Sequence, residues 1–314
     1  MRNGADGLAM LQRTRPVKQK NQAMLRYRLL FGTLMILLFV ALVVLDGFWD
    51  GSISFSNPDK PVQGTIPAIL ILLIAVPANI ELASLASKTG AKVLLPITIA
   101  GSIALSMTWY WQQSCACAFE LASFRFSYIL FVISLCILGL FFYQALRFGT
   151  ASVIANCGAS LLAIFYLGFL SSFILAVRVD FGPWELLMFI FTVKSSDTGA
   201  YTAGKLFGKH KFAPKISPGK TWEGMAGAVI FASVVAVLFA SLCGIMSWPA
   251  AVVFGVVFAV FGQLADLIES MIKRDAGSKD SSEHVPGFGG ILDVIDSPLA
   301  TAPVAYLFFT VVAG

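Results

Sequence analysis

Charge is what this 314-residue chain has least of. Asp, Glu, Lys and Arg make up 12% of it, against about 25% in a soluble globular protein. A globule of this length has a large water-facing surface, and 39 charged side chains cover it too thinly. Histidine is nearly absent, with two residues, and cysteine is sparse and odd in number, with five. The histidines, His210 and His284, lack ligand spacing. Cys115, Cys117, Cys136, Cys157 and Cys243 fall mostly in apolar stretches, and the close pair Cys115/Cys117 has no matching second pair. A zinc site and a disulfide scaffold are therefore both unsupported, and the cysteines read as small apolar side chains. No Pro/Gly/Ser-rich linker or low-complexity segment divides the chain, and no internal repeat is evident.

What the chain has instead is apolar sequence. Hydrophobic residues make up 58% and the mean hydropathy is +0.83, which excludes disordered and fibrous classes and points to a polytopic, all-α membrane protein. A helix needs ~20 apolar residues to cross the hydrocarbon core with its backbone satisfied internally. Nine such runs are expected, near 29–45, 66–85, 93–111, 126–146, 152–177, 183–204, 224–246, 249–272 and 295–313. They suggest a basic tail over 1–28, about five N-terminal transmembrane helices over 29–182, and a C-terminal region of about four over 183–314. The tail is too long and too polar for a signal peptide.

The net charge of +5 is mainly a topology signal and not a sign of nucleic-acid binding. With the tail on the cytoplasmic side, 18 of the 22 basic residues fall inside. Lys60, Arg125 and Arg178 fall outside, and Lys194 lies within a span. This is the asymmetry of the positive-inside rule for nine crossings.

Ionisable residues inside spans are costly and tend to be functional, and here they gather after Lys194. Asp197 follows in the sixth run. In the eighth, Asp266, Glu269, Ser270 and Lys273 stand at i, i+3, i+4 and i+7, on one helical face. Asp293 and Asp296 are again i, i+3. Carboxylates at a membrane boundary suit a hard cation such as Mg²⁺, which shares its oxygen ligands with phosphates. The surrounding Lys273, Arg274, Lys279 and the basic loop 209–224 suit phosphate, so the combination suggests group transfer on a nucleotide or lipid phosphate. Plainer readings stand beside this one. Glu269–Lys273 is also an ordinary i, i+4 pair, the basic loop also a headgroup anchor, and Asp197 also a relay of an ion-coupled transporter using Lys194 and Asp266. Glu81, a lone acid in the second run, reads as a buried hydrogen-bonding group, and Pro286–Gly290 reads as a turn.

Three ordered blocks resemble the phosphatidate cytidylyltransferases (CDP-diacylglycerol synthases). The first is Asp197-Thr-Gly-Ala-Tyr with Gly204 and Gly208, and the second is Ser217-Pro-Gly-Lys-Thr-Trp-Glu-Gly224. The third runs Ser270-Met-Ile-Lys-Arg, Lys279-Asp280, Pro286-Gly-Phe-Gly-Gly, Leu292-Asp-Val-Ile-Asp296, with the family's intervals kept. The resemblance covers about 194–298, and nine spans also match. It implies transfer of a cytidylyl group from CTP to phosphatidate, with membrane lipids as surroundings and no nucleic-acid partner.

By that resemblance Asp266, Asp293 and Asp296 are assigned to Mg²⁺, with a second cation left open. Lys273, Arg274 and Lys279 are assigned to the reacting phosphates, and Asp280 is placed with them among the catalytic residues. Asp197, Ser217, Lys220 and Thr221 are assigned to completing the nucleotide or metal site, Ser270 to the nucleotide site, and Gly287, Gly289 and Gly290 to its loop. Three positions depart from the family pattern: Gly219 stands for lysine, Phe288 for histidine and Val294 for arginine, which keeps a catalytically impaired relative in view. The implied location is a bacterial inner membrane with the site facing the cytoplasm, and a homodimer is left open.

Overall fold

The structure, a computed structural model, describes residues 32–53, 61–115, 121–278, 281–282 and 289–313. The basic tail, Lys60, Lys279, Asp280, Gly287 and Phe288 lie outside the described residues. The helices are α1 (Gly32–Asp50), α2 (Thr65–Lys88), α3 (Leu95–Ser106), α4 (Thr108–Cys115), α5 (Leu121–Phe148), α6 (Val153–Ala163), α7 (Leu170–Asp180), α8 (Pro183–Phe207), α9 (Trp222–Cys243), α10 (Trp248–Asp275) and α11 (Ile291–Ala313). A π-helical turn, Ile164–Phe169, joins α6 to α7 in one continuous rod. No strand occurs among the described residues; Lys211 and Thr221 form an isolated antiparallel bridge.

Local chemistry explains several boundaries. Proline stands in the first turn of α3, α8 and α10, where its missing N–H is no loss. Thr221 caps α9, its hydroxyl accepting from Gly224 N at 3.1 Å, and Gly244 ends that helix at φ 68°, a conformation glycine adopts freely.

Among the described residues, seven helices are long and apolar enough to cross a membrane: α1, α2, α5, α6–α7, α9, α10 and α11. The other two expected spans take a different form. The run at 93–111 breaks at Met107 into α3 and α4, where Ser106 and Thr108 hydroxyls donate to the carbonyls of Ile103 and Leu105 at 3.0 and 2.6 Å and compete with the backbone ladder. The run at 183–204 is the 25-residue helix α8, made too polar to count with the seven by Glu185, Lys194, Asp197 and Lys205.

The bundle is apolar outside and polar at selected points within. Leu138, Phe142 and Leu242 are 68%, 69% and 83% exposed, whereas Asn79, Glu81, Arg178, Thr192, Ser196 and Gln263 are buried. That distribution suits a lipid environment and makes this an integral membrane protein. The core follows Leu186, Phe189 and Val193 of α8, Phe254 and Phe258 of α10, and Ala302 and Phe309 of α11.

Helices α8 and α9 meet through small residues. A Cβ at Gly199 would stand 2.5 Å from Gly227 O, and one at Gly227 would stand 2.6 Å from Gly199 O and strike Ala203 Cβ. Close approach through small residues is a usual way for membrane helices to pack. Gly227→Leu is therefore expected to force the pair apart, at about 1–3 kcal/mol by overpacking, read as a lowered unfolding midpoint in detergent.

The two ends of the bundle are chemically distinct. At one end Lys88 Nζ donates to Ser278 Oγ (2.6 Å), Lys92 lies over the Phe148 ring (5.0 Å) and Lys220 pairs with Asp266 (2.9 Å). At the other end Arg125 pairs with Asp180 (3.1 Å), and Arg178 pairs with Asp46 (2.8 Å) and Asp50 (2.6 Å). Lys88, Lys92 and Lys220, expected on one side, thus lie at one end of the bundle, and Arg125 and Arg178, expected on the other, lie at the opposite end.

Candidate active site

At the Lys88 end, α8, the 208–221 loop, α10 and α11 surround a cavity of about 390 Å³ lined by Lys194, Asp197, Ser217, Lys220, Asp266, Glu269, Ser270, Lys273, Asp293 and Asp296. Each element delivers its side chains by helical spacing. Lys194 and Asp197 are one turn apart on α8. Asp266, Glu269, Ser270 and Lys273 follow one face of α10, and Asp293 and Asp296 project from the first two turns of α11.

The 208–221 loop is held over this end by its own chemistry. Glu223 of α9 accepts from Lys209 N (3.1 Å) and His210 N (3.2 Å) and pairs with His210 Nδ1 (2.6 Å). Phe212 N donates to Lys220 O (3.3 Å) and Trp222 N to His210 O (2.9 Å). That turn brings Ser217 and Lys220 to the cavity and leaves Lys209, Lys211 and Lys215 on the exposed side. His210 is therefore a loop fastener outside the cavity lining.

Among the described residues, five carboxylates and three ammonium groups share the space. Lys220 Nζ donates to Asp266 Oδ2 and to Gln263 O, each at 2.9 Å. Lys273 lies between Glu269 Oε2 and Asp293 Oδ1, 2.7 Å from each, and so ties α10 to α11. Lys194 stands 3.6 Å from Asp197 and 3.8 Å from Asp296. The Ser297 hydroxyl lies 2.6 Å from Asp266 Oδ1 and 3.3 Å from Asp296 Oδ1, so it joins these two acids.

Asp293 is engaged at both oxygens. Its Oδ2 accepts from Ser281 N (3.1 Å), Ser281 Oγ (2.9 Å) and Gly290 N (2.7 Å), which fixes the entry into α11. By contrast, Asp197 Oδ1 and Glu269 Oε1 are buried with no hydrogen-bond partner among the described residues.

Of the residues singled out from sequence, Asp197, Ser217, Lys220, Asp266, Ser270, Lys273, Asp293 and Asp296 come together here. Thr221 and Arg274 are not in the lining: the Thr221 hydroxyl caps α9, and Arg274 is exposed with Nη1 donating to Ser278 O at 3.3 Å. Gly290 is buried beside Asp293, and Gly289 adopts φ 94°, a region that glycine favours. Lys279, Asp280 and Gly287 lie outside the described residues. Gly219 faces open space, so a Cβ there would meet nothing within 4 Å. Val294 sits half-buried in the first turn of α11.

Lys194, Glu269 and Ser297 join the site beyond the residues assigned from sequence. The first two carried a signal, being charges on spans near the other acids; Ser297 carried none.

The donor set can be tested against Mg²⁺. Among the described residues, no three acidic, His or Cys side chains form a ready metal-binding group, and lysines and backbone donors hold several of the acids. Mg²⁺ does not need such a cage, since it commonly uses one or two carboxylates with waters and substrate phosphates. Among the described residues, the hard oxygen donors, the two unpartnered buried carboxylate oxygens and an excess of two negative charges at full ionisation fit one divalent cation.

Comparison with known proteins agrees in kind. A profile of the cytidylyltransferase family matches residues 26–312. The chain is similar to the phosphatidate cytidylyltransferase of Haemophilus influenzae, 44% identical over 133 residues, covering 40% of this chain and 46% of the relative. It is 38% identical over 148 residues to the enzyme of that name from Bacillus subtilis, covering 46% of this chain and 55% of the relative. It is 40% identical over 130 residues to that of Mycobacterium leprae, covering 41% of each. The matched stretch spans about half the length of these relatives.

Proposed function

The chain belongs to the cytidylyltransferase family, and on that premise we propose that it transfers the cytidylyl group of CTP to phosphatidate, giving CDP-diacylglycerol and pyrophosphate. The observation that carries this reading is the cavity at a membrane-helix end where five carboxylates and three lysines alternate. Such a lining answers both demands of the reaction, a cation site and phosphate anchors.

A phosphatidate phosphate oxygen attacks the α-phosphorus. A new P–O bond forms as the bond to the bridging α–β oxygen breaks, and the pair leaves with pyrophosphate. The attacking group is already an anion at neutral pH, so no activated serine or cysteine is required. The work of the chain is in-line positioning and neutralisation of charge. Lys220, Lys273 and Lys194, now paired with carboxylates, are the groups that would exchange partners for phosphate oxygens. Asp266 and Asp296, joined through Ser297, would hold Mg²⁺, with Asp197 and Glu269 offering the unpartnered oxygens and Asp293 fixing the loop beside them. When bound, that ion supplies charge neutralisation at the phosphates.

The site would face the cytoplasm of a bacterium from its inner membrane. The basic residues crowd at the same end, as the positive-inside rule requires, and CTP is a cytoplasmic solute. A transporter reading is not favoured, since the acids are matched by lysines suited to phosphate and the family is one of transferases.

Purified protein in lipid–detergent micelles, given radiolabelled CTP, phosphatidate and Mg²⁺, is expected to form labelled CDP-lipid and pyrophosphate in equal amounts. No product above background across several divalent metals and phosphatidate species would overturn the proposal. In the same assay Lys220→Met is expected to raise KM for CTP about ten- to a hundredfold, the worth of one charge-assisted phosphate contact. An unchanged KM would remove Lys220 from the nucleotide site.

A further inference from the structure

Glu81 belongs to α2, in the N-terminal half of the chain, far in sequence from every residue lining the cavity. It is 2% exposed, within a helix that is otherwise almost wholly apolar. An ionised carboxylate in such a place is costly unless its oxygens are satisfied, and what satisfies them is the start of α11. Oε1 accepts from Ile291 N at 3.0 Å and Ser282 Oγ at 2.6 Å. Oε2 accepts from Leu292 N at 3.0 Å and lies 3.2 Å from Ser281 Oγ. The first N–H groups of a helix lack partners within it and favour a negative charge. Glu81 thus caps α11 from a different helix.

Two features connect this cap to the cavity. Ser281 Oγ stands between Glu81 Oε2 and Asp293 Oδ2, and its single proton serves one of them at a time. Asp293 then continues to Lys273 at 2.7 Å. Gly290 is packed so tightly that a Cβ there would strike Ser281 Oγ and stand 2.5 Å from Glu81 Oε2. Glycine at 290 is therefore required by the approach of Glu81 and Ser281.

We propose that Glu81 is a positioning residue for the transfer reaction, fixing through Ser281 and the first N–H groups of α11 where Asp293 and Asp296 stand in the cavity. The proposal makes the N-terminal helices part of the catalytic apparatus, and it rests on the cytidylyl-transfer reading above only for its kinetic consequence.

Glu81→Gln is the informative substitution. Ile291 N and Leu292 N donate to different oxygens of the carboxylate. An amide in either orientation therefore sets its NH₂ against one backbone N–H, at nearly unchanged volume. The expected result is a fall in kcat of about tenfold or more, with the unfolding midpoint in detergent moved by at most ~3 °C, about 1 kcal/mol for a chain of this size. Amide hydrogen exchange should quicken at Ile291 and Leu292. Ser281→Ala, which removes the link to Asp293 and leaves Glu81 in place, is expected to lower kcat similarly. The double variant should fall well short of the product of the two single effects, since both act on one linkage.

Wild-type kcat in Glu81→Gln, or independent multiplicative losses in the double variant, would overturn the proposal. So would a kcat loss matched by general unfolding in Glu81→Gln with Ser281→Ala unaffected. If the wild-type protein makes no CDP-lipid, the transfer reading fails on its own account. Exchange at Ile291 and Leu292 still decides the positioning claim in that case: quickened exchange supports it and unchanged exchange overturns it.

Discussion

Asp296→Asn is expected to lower kcat for CDP-diacylglycerol formation by about two to three orders of magnitude, the scale found when one preorganised group that stabilises transition-state charge is lost. At about 1.36 kcal/mol per tenfold, that is roughly 3–4 kcal/mol of barrier. Asp296 is 5% exposed and lies on α11 with Ser297 beside it, 3.8 Å from Lys194 Nζ. Asparagine keeps the volume and leaves Ser297 its bond to Asp266 at 2.6 Å. What goes is one negative charge, and with it one of the two carboxylate partners of Lys194 and one of the two carboxylates proposed to hold the cation. The unfolding midpoint should stay near that of the wild type, because loss of one carboxylate relieves repulsion among the five. Raising the Mg²⁺ concentration should recover part of the rate. Activity above a tenth of wild type would remove Asp296 from the site.

The second large effect belongs to stability and lies at the opposite end of the bundle. Arg178 is 0% exposed, yet its guanidinium meets two carboxylates of α1. Nε donates to Asp46 Oδ2 at 2.9 Å, and Nη2 donates to Asp50 Oδ2 at 2.6 Å and to Ser52 Oγ at 3.1 Å. Asp46 also accepts from Ile66 N at 2.8 Å and Asp50 from Gly64 N at 3.3 Å. The cluster thus joins α1, the turn into α2, and α7. Arg178→Met leaves two buried carboxylates without their counter-charge, a change worth about 3–5 kcal/mol. The midpoint in thermal unfolding should fall by on the order of 10 °C. Adding Asp46→Asn and Asp50→Asn to Arg178→Met should restore most of the loss, because the cost is that of uncompensated charge. A midpoint unchanged by Arg178→Met would show that the cluster contributes nothing net. Since Arg178 lies far from the cavity, kcat measured well below the midpoint should change much less than in Asp296→Asn.

These two clusters differ in how far the sequence reveals them. The acids of the site could be grouped from spacing alone, because i, i+3 and i+4 positions share a helical face wherever the helix lies. Asp266, Glu269, Ser270 and Lys273 do line one cavity. The Arg178 cluster could not be read so: Asp46 and Arg178 are 132 positions apart, and Arg178 looked like an ordinary residue of an outside loop. The broken span at Met107 was likewise invisible to a hydropathy scan. Such a scan registers that Ser106 and Thr108 sit in an apolar run but not that their hydroxyls reach back to Ile103 and Leu105.

By itself, the scarcity and placement of charge determined that the chain lives in a bilayer and where acids and lysines gather near one another along its helices. These are properties of transfer free energy and helical periodicity, and both are local. Only the tertiary structure decided which charge meets which. Lys220 goes to Asp266, Lys273 bridges Glu269 and Asp293, and Thr221 and Arg274 are turned to capping and to the exposed surface. It also brought Glu81 from the second helix to the first turn of the last. The physical reason is that buried charges and helix-end N–H groups must find partners, and in a bundle the nearest partner in space is seldom near in sequence.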